Sequence, residues 1–268
     1  MSPELSEVET FKNYFDTTSL NQKIKNVVVR DNRILKIQES SFKKILISNT
    51  FYSTLRHGKY LFAKLNSGFI VFHFGMSGNL KYLKDIEEEP THSRILFEFI
   101  NGNFLSYISM RMFGRVNIID NVEDFVKERK LGPDAYLMNF KEFKETLHKR
   151  TAIAKSALMN QSIIAGIGNI YSDEILFHAK IHPKTKVNEL PESKLKDIFE
   201  SIKEVLKVGI EKKGILSTYP NDFIIPHRKQ GELCPQCDGT IKRLVVSQRH
   251  GFFCPNCQIQ YTINSDEK

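Results

Sequence analysis

The chain has 268 residues, a formal charge of +8, and a 41% share of hydrophobic residues. This length is enough for two domains, or for one large domain with an appendage. No run of about 18 apolar residues occurs and the first residues lack the apolar core of a signal peptide, so we expect a cytoplasmic, nucleoid-associated protein without a membrane span. The basic excess favours polyanionic partners such as nucleic acid.

The first ten residues, MSPELSEVET, have the composition of a helix start. Proline is favoured in the first turn of a helix, and acids there complement the helix dipole. Ser6 and Glu9 have the spacing of a capping box. The apolar residues then recur at helical spacing: Val8, Phe11 and Phe15. This interpretation predicts a helix from about residue 6 or 7 to residue 15, with a purely structural role.

Residues 24–125 consist mainly of predicted strands, short β-branched or aromatic runs separated by turn signals. The clearest runs are residues 27–29, 68–74, 95–99 and 104–108. The last two flank Asn101-Gly102 and therefore predict a hairpin. Several short strands at this spacing are typical of a sandwich or a barrel.

The pattern becomes helical between residues 140 and 213, and we place a domain boundary near residue 130. Gly166, Gly168 and Asn169 separate an apolar helix from a second predicted helix over residues 172–179. Such a turn leaves backbone N–H groups exposed and able to bind a phosphate. It favours a helix-turn-helix variant over a dinucleotide-binding loop, because no strand precedes it and the third glycine is missing. Residues 217–231 predict a loop.

The cysteines form two C-x2-C pairs, which is the spacing of a zinc site. They are Cys234, Cys237, Cys254 and Cys257. Four thiolates close a tetrahedron around one ion, so we expect one structural Zn²⁺; reduced free cysteines fit the paired spacing poorly. Basic residues between the pairs form either a solvated face or a phosphate clamp. These residues are Lys242, Arg243, Arg249 and His250.

Seven motifs in register resemble the formamidopyrimidine-DNA glycosylase / endonuclease VIII family over residues 3–258. In chain order they are residues 3–10 (PELSEVET, beside the family's PELPEVET), 58–61 (GKYL, its lysine hairpin), 73–78 (HFGMSG), 111–114 (RMFG), 131–133 (LGP), 166–171 (GIGNIY), and the finger with Arg249 five residues before Cys254. The first motif favours the formamidopyrimidine branch.

The resemblance implies an α+β multidomain fold. Residues 1–128 would form an N-terminal antiparallel β-sandwich with a leading helix, residues 129–222 a helix-two-turn-helix domain, and residues 230–262 a zinc finger. The implied activity is that of a DNA glycosylase with AP lyase activity. It would excise oxidised bases through a Schiff base at an N-terminal amine and cleave the strand by elimination. The implied partner is double-stranded DNA containing oxidised bases or abasic sites, bound by a monomer.

The resemblance also implies roles for individual residues. Pro3 would be the nucleophile, Glu4 the general acid/base on the sugar, and Lys59 a proton donor during strand elimination. Arg249 would hold the phosphate and assist the second elimination, while Glu7 would orient the N-terminus. An amine suits this task because an α-amino group is largely neutral near physiological pH.

A flipped base leaves a gap in the duplex, which an apolar wedge, an aromatic ring and an arginine can fill. Met76, Arg111 and Phe113 match that trio in the family, although from local sequence alone Met76 and Phe113 are better interpreted as core residues. The implied phosphate contacts are His73, His92, Lys155, Asn169 and Arg249, with Arg150 as a weaker candidate. Binding by such contacts should weaken steeply with salt.

Three departures from the family pattern matter. Ser2 precedes Pro3, so either Ser2 is trimmed, or its own amine is the nucleophile, or lyase activity is absent. Ser6 replaces a second proline, a mild change because serine caps helices well. Residues 214–230 are short for a branch that covers a flipped 8-oxoguanine with a longer loop, which leaves room for oxidised pyrimidines.

Two other functions remain open at this stage. Because of Ser2, the chain could be a non-catalytic paralogue that binds damaged or abasic DNA. A zinc-stabilised RNA-binding protein fits the charge but not the acids near the N-terminus.

Overall fold

The computed structural model describes residues 2–147 and 150–262. The chain divides into two compact units, the first formed by Met1–Pro3 and Glu7–Arg129 and the second by Glu4–Ser6 and Lys130–Lys268. Pro3 and Glu4 are therefore consecutive residues that belong to different units.

The first unit is built on two four-stranded antiparallel sheets with the strand orders β1-β6-β7-β5 and β2-β3-β4-β8. The strands are β1 (Ile24–Val29), β2 (Thr54–His57), β3 (Tyr60–Lys64), β4 (Phe69–His73), β5 (Gly78–Leu83), β6 (Ser93–Phe99), β7 (Phe104–Ser109) and β8 (Arg115–Ile119). Aromatic rings from both sheets meet in one core, where the centroids of Phe72 and Phe97 lie 6.2 Å apart. The prediction of antiparallel sheets is confirmed.

The hairpin predicted around Asn101-Gly102 is formed by β6 and β7. Gly102 adopts φ +85°, and the Asn101 side chain accepts a hydrogen bond from the backbone N–H of Asn103 at 3.0 Å. The turn therefore uses the left-handed freedom of glycine and the local bonding of asparagine that the sequence signal rests on.

The leading helix, α1, spans Leu5–Thr18 and is longer than predicted. The prediction of a capping box is wrong, because Ser6 lies inside the helix rather than at its N-cap. Its hydroxyl donates to the carbonyl of Leu206 at 3.3 Å. Glu9 instead pairs with Arg56 at 2.6 Å. Both side chains thus have partners that are distant in sequence. The first unit also contains α2 (Glu39–Leu46) and α3 (Val122–Glu128).

The second unit contains four helices among its described residues, followed by a hairpin. They are α4 (Phe140–Leu147), α5 (Ala154–Met159), α6 (Asn169–His178), α7 (Glu192–Glu211), β9 (Lys242–Val246) and β10 (Arg249–Phe253). Leu5 is buried in the core of this unit with Tyr171 and Leu206. Helix α6 starts three residues before the predicted helix, directly after Gly168. The predicted loop contains two short 3-10 turns, Leu216–Thr218 and Ile225–His227.

Across residues 2–147 and 150–262, no helix combines the length and the apolar character that crossing a bilayer requires.

Candidate functional site

Glu4 is fixed at the N-terminus of α6. Its side chain is 3% exposed, and its carboxylate accepts hydrogen bonds from the backbone N–H groups of Gly168 at 2.6 Å, Ile170 at 3.0 Å and Tyr171 at 3.4 Å. These are the N–H groups that the sequence predicted to bind a phosphate. That prediction is wrong for this turn, because an internal carboxylate occupies the anion position at the helix terminus.

The two glycines of this turn allow the segment that carries Glu4 to approach closely. A Cβ on Gly168 would lie 2.3 Å from the Glu4 carboxyl carbon, and one on Gly166 would lie 2.5 Å from Leu5 Cδ1. Gly166 also has φ +116° and accepts a hydrogen bond from the Leu5 N–H at 3.0 Å. The turn is therefore a cradle for residues 4 and 5.

The residues before Glu4 belong to the first unit. Pro3 is buried and Ser2 is half-buried. The Ser2 hydroxyl donates to the carbonyl of Gly75 at 2.7 Å, which ties the start of the described chain to the loop after β4. The same loop carries Met76. The bond between Ser2 and Gly75 therefore positions Pro3, the candidate nucleophile, relative to Met76, one of the candidate wedge residues.

Lys59 lies in the tight turn between β2 and β3, where Gly58 has φ +54°. Arg56 supports this turn, because its Nη1 donates to the Gly58 carbonyl at 3.1 Å while its Nε pairs with Glu9. The Arg56 side chain is 2% exposed, so the anchor is internal. The lysine is half-buried.

His73 ends β4 opposite Tyr60, and the two ring centroids lie 4.9 Å apart. Burial is the main reason that the pKa of His73 is lowered to about 4, and the positive charges of Lys59, Arg129 and Arg115 contribute to the same shift. At neutral pH this histidine is therefore uncharged, and it can bind a phosphate only as a neutral hydrogen-bond donor.

Met76, Arg111 and Phe113 lie on two loops that fit against each other. A Cβ on Gly75 would lie 2.4 Å from the Phe113 carbonyl carbon, and the Arg111 N–H donates to the Ser77 hydroxyl at 3.0 Å. Met76 is 39% exposed and Phe113 is 53% exposed. The interpretation of these two residues as core residues is therefore wrong. The Arg111 guanidinium lies 5.6 Å from the Phe113 ring centroid, so the structure brings the trio together.

Two further candidates for phosphate contact are exposed. His92 has φ +68° in the turn before β6, and its Nδ1 lies 3.4 Å from an Arg94 nitrogen. Arg150 follows α4, and its Nε donates to the Thr146 carbonyl at 2.6 Å.

Lys155 does not match the expectation of a phosphate-binding lysine. Its side chain is fully buried, and its Nζ contacts the Asn169 carbonyl at 3.1 Å, the Ser172 hydroxyl at 3.0 Å and Asp173 Oδ1 at 2.5 Å. An ammonium has three donors, and these partners use all three. In this conformation Lys155 joins α5 to α6 and has no donor left for a phosphate.

Asp173 is the centre of a buried charge cluster that sequence reasoning missed. Arg228 Nη2 lies 2.9 Å from its Oδ2, and the Phe252 N–H donates to the same oxygen at 3.0 Å. Burial raises the pKa of Asp173 and lowers that of Lys155, whereas their mutual attraction opposes both shifts. The cluster connects α6 to β10 and to the segment before the finger.

Glu174 anchors the segment that was predicted to be a loop. Its carboxylate accepts hydrogen bonds from the N–H groups of Ile224 at 3.0 Å and Ile225 at 2.7 Å, and the hydroxyls of Tyr171 and Tyr219 lie 2.6 Å apart. Two adjacent acids in an otherwise apolar helix (SDEILF) are the sequence signal that could have indicated buried partners.

Arg249 is exposed at the start of β10, directly after a two-residue turn. Ser247 and Gln248 both have positive φ, +49° and +61°, as a type I′ hairpin turn requires. The turn is held against α5 by a 2.7 Å contact between the hydroxyls of Ser247 and Ser156. Asn169 Nδ2 donates to the His250 carbonyl at 2.9 Å, so the structure places the candidates Asn169 and Arg249 beside one another.

The four cysteines form a cluster whose Sγ atoms all lie within 4.8 Å of one another. The separations are 3.7 Å for Cys234–Cys257, 3.5 Å for Cys237–Cys254 and 3.3 Å for Cys237–Cys257. A disulfide needs about 2.0 Å, whereas four thiolates about 2.3 Å from one zinc ion lie about 3.8 Å apart. The donor set therefore fits a tetrahedral zinc ion.

Comparisons with known proteins match three successive segments of the chain to known domains. Residues 2–116 match the formamidopyrimidine-DNA glycosylase N-terminal domain, residues 131–220 its H2TH domain, and residues 231–259 a zinc finger found in FPG and IleRS. The formamidopyrimidine-DNA glycosylase of Ligilactobacillus salivarius is 33% identical over 96% of this chain and 99% of its own length. That of Streptococcus mutans is 32% identical over 96% and 100%.

Solved structures give the same result. The complex between the Lactococcus lactis Fpg and DNA containing an abasic site is 30% identical, with a TM-score of 0.85 over 95% of this chain and 99% of that one. MutM in complex with DNA containing carbocyclic 8-oxo-G is 31% identical, with a TM-score of 0.87 over 96% and 99%. Sequence and fold thus both place the protein among the DNA repair glycosylases. With three matched domains in the family's order and relatives above 30% identity, the chain belongs to the formamidopyrimidine-DNA glycosylase family.

Proposed function

We propose that this protein excises oxidised bases from duplex DNA and then cleaves the strand at the resulting abasic site. The observation that carries the proposal is the position of Glu4, which follows Pro3 directly and is held at the start of α6 by three backbone N–H groups. A carboxylate fixed in this way has few accessible positions, as a group that must meet a sugar atom requires.

In the proposed reaction, an N-terminal amine forms a bond to the sugar C1′ while the bond from C1′ to the damaged base breaks. The base leaves with a proton, the sugar ring opens, and a Schiff base joins the enzyme to C1′. Loss of a proton from C2′ then expels the 3′ phosphate. We assign Glu4 to proton transfer at the sugar, Lys59 to proton transfer during elimination, and Arg249 to the phosphate.

The nucleophile is the nitrogen of Pro3, set free by removal of the residues before it. A buried Pro3 fits a reaction shielded from bulk water. The Ser2 hydroxyl bond to Gly75 favours a second candidate function, a protein that keeps Ser2 and binds damaged DNA without cleaving it.

One experiment separates these candidates. The intact mass of the purified protein gives its first residue, and borohydride reduction on abasic DNA traps any Schiff base. Peptide mapping of the trapped adduct should place the DNA on Pro3. An adduct on Ser2 would make its primary amine the nucleophile, and tight binding without any adduct would leave only the binding function. Duplexes carrying an oxidised purine or an oxidised pyrimidine, run in parallel, define the lesion preference.

The DNA contacts we propose fall into two groups. Met76, Arg111 and Phe113 fill the space left by the flipped nucleotide. His73, His92, Asn169 and Arg249 contact the backbone, whereas Lys155 supports Asn169 and the finger from inside. The four cysteines hold one structural Zn²⁺, which closes the segment that presents Arg249.

A further inference from the structure

Arg115 holds the loop that carries Arg111 and Phe113. It is the first residue of β8, and its Nη1 donates to the carbonyls of Met112 and Gly114, both at 2.6 Å. Both carbonyls belong to the loop itself. Hydrogen bonds from a charged donor are among the stronger ones in proteins, so this single side chain ties two points of the five-residue loop between β7 and β8.

The backbone that Arg115 ties is not a relaxed one. Met112 has φ +56°, a backbone conformation that residues other than glycine adopt with strain. Such a residue keeps its conformation only when its surroundings impose it. The bond from Arg115 to the Met112 carbonyl is one such constraint, and it acts at the strained residue.

The other side of the loop is fixed by close backbone approach. A Cβ on Gly114 would lie 2.0 Å from the Tyr107 hydroxyl, which itself donates to the His73 carbonyl at 2.7 Å. Gly75 meets the Phe113 backbone in the same way. The exposed side chains of Arg111 and Phe113 therefore project from a backbone that is held on one side by packing and on the other by Arg115.

We propose that Arg115 is a positioning residue, which sets the conformation of the loop before DNA is bound. Arg111 and Phe113 then enter the duplex without any change in the conformation of the loop. This inference rests on the proposed function, because it assumes that these two side chains fill the gap beside a flipped nucleotide. A loop that is ordered before binding loses less conformational entropy when it inserts into DNA. This saving applies only to damaged DNA, because the loop does not insert into an undamaged duplex. Arg115 should therefore affect the preference for damaged DNA, whereas general affinity for duplex should be unchanged.

A direct contact between Arg115 and a phosphate would have a different signature. Each phosphate contact contributes about one unit to the slope of log affinity against log salt, on damaged and undamaged DNA alike. A positioning residue leaves that slope unchanged and alters the ratio of the two affinities.

The test uses the full-length zinc-loaded protein with Arg115→Met, which keeps the aliphatic bulk and removes the donors. Arg115→Lys keeps a charged ammonium group that can donate hydrogen bonds to both carbonyls. Arg115→Gln has a neutral amide that can donate to one of the two carbonyls. The matched control is Arg33→Met, because Arg33 is a highly exposed arginine of the same unit that pairs with Asp31. The readouts are affinities for an abasic-analogue duplex and an undamaged duplex across a salt series. Fluorescence of 2-aminopurine opposite the abasic site reports insertion independently of affinity.

We expect Arg115→Met to reduce the preference for abasic DNA about tenfold, as loss of a charge-assisted hydrogen bond would, and to blunt the fluorescence change. Arg115→Lys should restore most of both signals, Arg115→Gln should lie between them, and Arg33→Met should match the wild type. A salt slope lower by about one with an unchanged preference would overturn the inference in favour of a phosphate contact. Wild-type fluorescence and preference in Arg115→Met would also overturn it, while leaving the proposed function intact. A wild-type protein without any preference for abasic DNA would overturn both.

Discussion

The carboxylate of Glu4 accepts a hydrogen bond from the backbone N–H of Gly168 at 2.6 Å, and the two residues are 164 positions apart in the chain. This contact positions the candidate acid by means of the helix-two-turn-helix module. It also explains why a glycine precedes α6, since a side chain there would occupy the space of the carboxylate.

Gly168→Ala should displace Glu4 and slow base excision. Gly168 has φ −125°, so alanine is not strained there, and the added methyl group acts only by its contact with the carboxyl group, 2.3 Å from Cδ. Overpacking of this kind costs about 1–3 kcal/mol. A displacement of about 1 Å lowers the rate about 100-fold. Single-turnover excision and chemical denaturation measure the two effects.

A double-mutant cycle tests whether the effect acts through Glu4. In a Glu4→Ala background the clashing atoms are gone, so adding Gly168→Ala should change the free energy of unfolding by less than about 0.5 kcal/mol. An equal cost in both backgrounds would show that the methyl group disturbs the turn itself.

Lys155→Met should destabilise the second unit without removing a phosphate contact. Removing one partner of a buried ion pair costs about 3–5 kcal/mol, because the other charge stays buried. Asp173 would retain Arg228 and the Phe252 N–H, so we expect the lower part of this range. Thermal or urea unfolding measures the cost.

The salt dependence of binding distinguishes the two roles of Lys155. At a temperature where the variant is folded, Lys155→Met should keep the wild-type slope of log affinity against log salt. Arg249→Met, which removes an exposed guanidinium, should lower that slope by about one. A decrease of about one for Lys155→Met as well would show that the lysine leaves its buried cluster to bind DNA.

Patterns with local causes were predictable from the sequence. The β6–β7 hairpin follows from turn chemistry at Asn101-Gly102. The cysteine cluster follows from ligand spacing, because each C-x2-C pair brings two thiolates together whatever the surrounding fold.

Features that depend on contacts between distant residues were not predictable from local patterns. Ser6 has the spacing of a cap, yet its hydroxyl donates to Leu206. The backbone N–H groups at the start of α6 have the geometry of an anion site, yet the Glu4 carboxylate fills it. In each case a tertiary partner displaces the local or solvent partner that the pattern predicts. The resemblance to a family supplied Glu4 as a candidate, but the reason for its placement lies in the fold.

His73 should make stability depend on pH in a defined window. Its pKa is about 4 in the folded protein, whereas an unfolded histidine titrates near 6.5. The unfolded state therefore binds more protons between these values, so full stability is present above about pH 6.5 and is lost as the pH falls toward 4. The expected loss is about 3 kcal/mol. Urea unfolding of the wild type and of His73→Gln at pH 5 and pH 7.5 measures it, and the difference between the two proteins should shrink at the lower pH. A constant difference would mean that His73 titrates normally.

Removal of zinc should unfold the finger and weaken DNA binding. The β9–β10 hairpin is short, and the cysteines form the small core beneath it together with Phe177, Ile224 and Ile241. In metal-free protein, the amides of β9 and β10 should lose protection in hydrogen exchange, and affinity for abasic DNA should fall at least tenfold. Cys237→Ser serves as a variant that impairs the site without chelator. Unchanged binding by protein shown to be free of metal would remove the finger from the DNA interface.

Met76→Ala and Phe113→Ala should impair recognition of damage while leaving stability unchanged. Both side chains are substantially exposed, and truncation of exposed residues changes the free energy of unfolding by about 0.5 kcal/mol or less. If the side chains replace lost stacking beside a flipped nucleotide, each truncation should lower the preference for abasic over undamaged duplex about tenfold, because stacking contributes about 1–3 kcal/mol per base. Ile86→Ala is the matched control, since Ile86 is an apolar residue of the same unit with 42% exposure. Competition binding with the two duplexes gives the preference. A similar decrease for Ile86→Ala would trace the effect to general surface hydrophobicity, whereas an effect confined to Met76 and Phe113 requires their loops to enter the duplex.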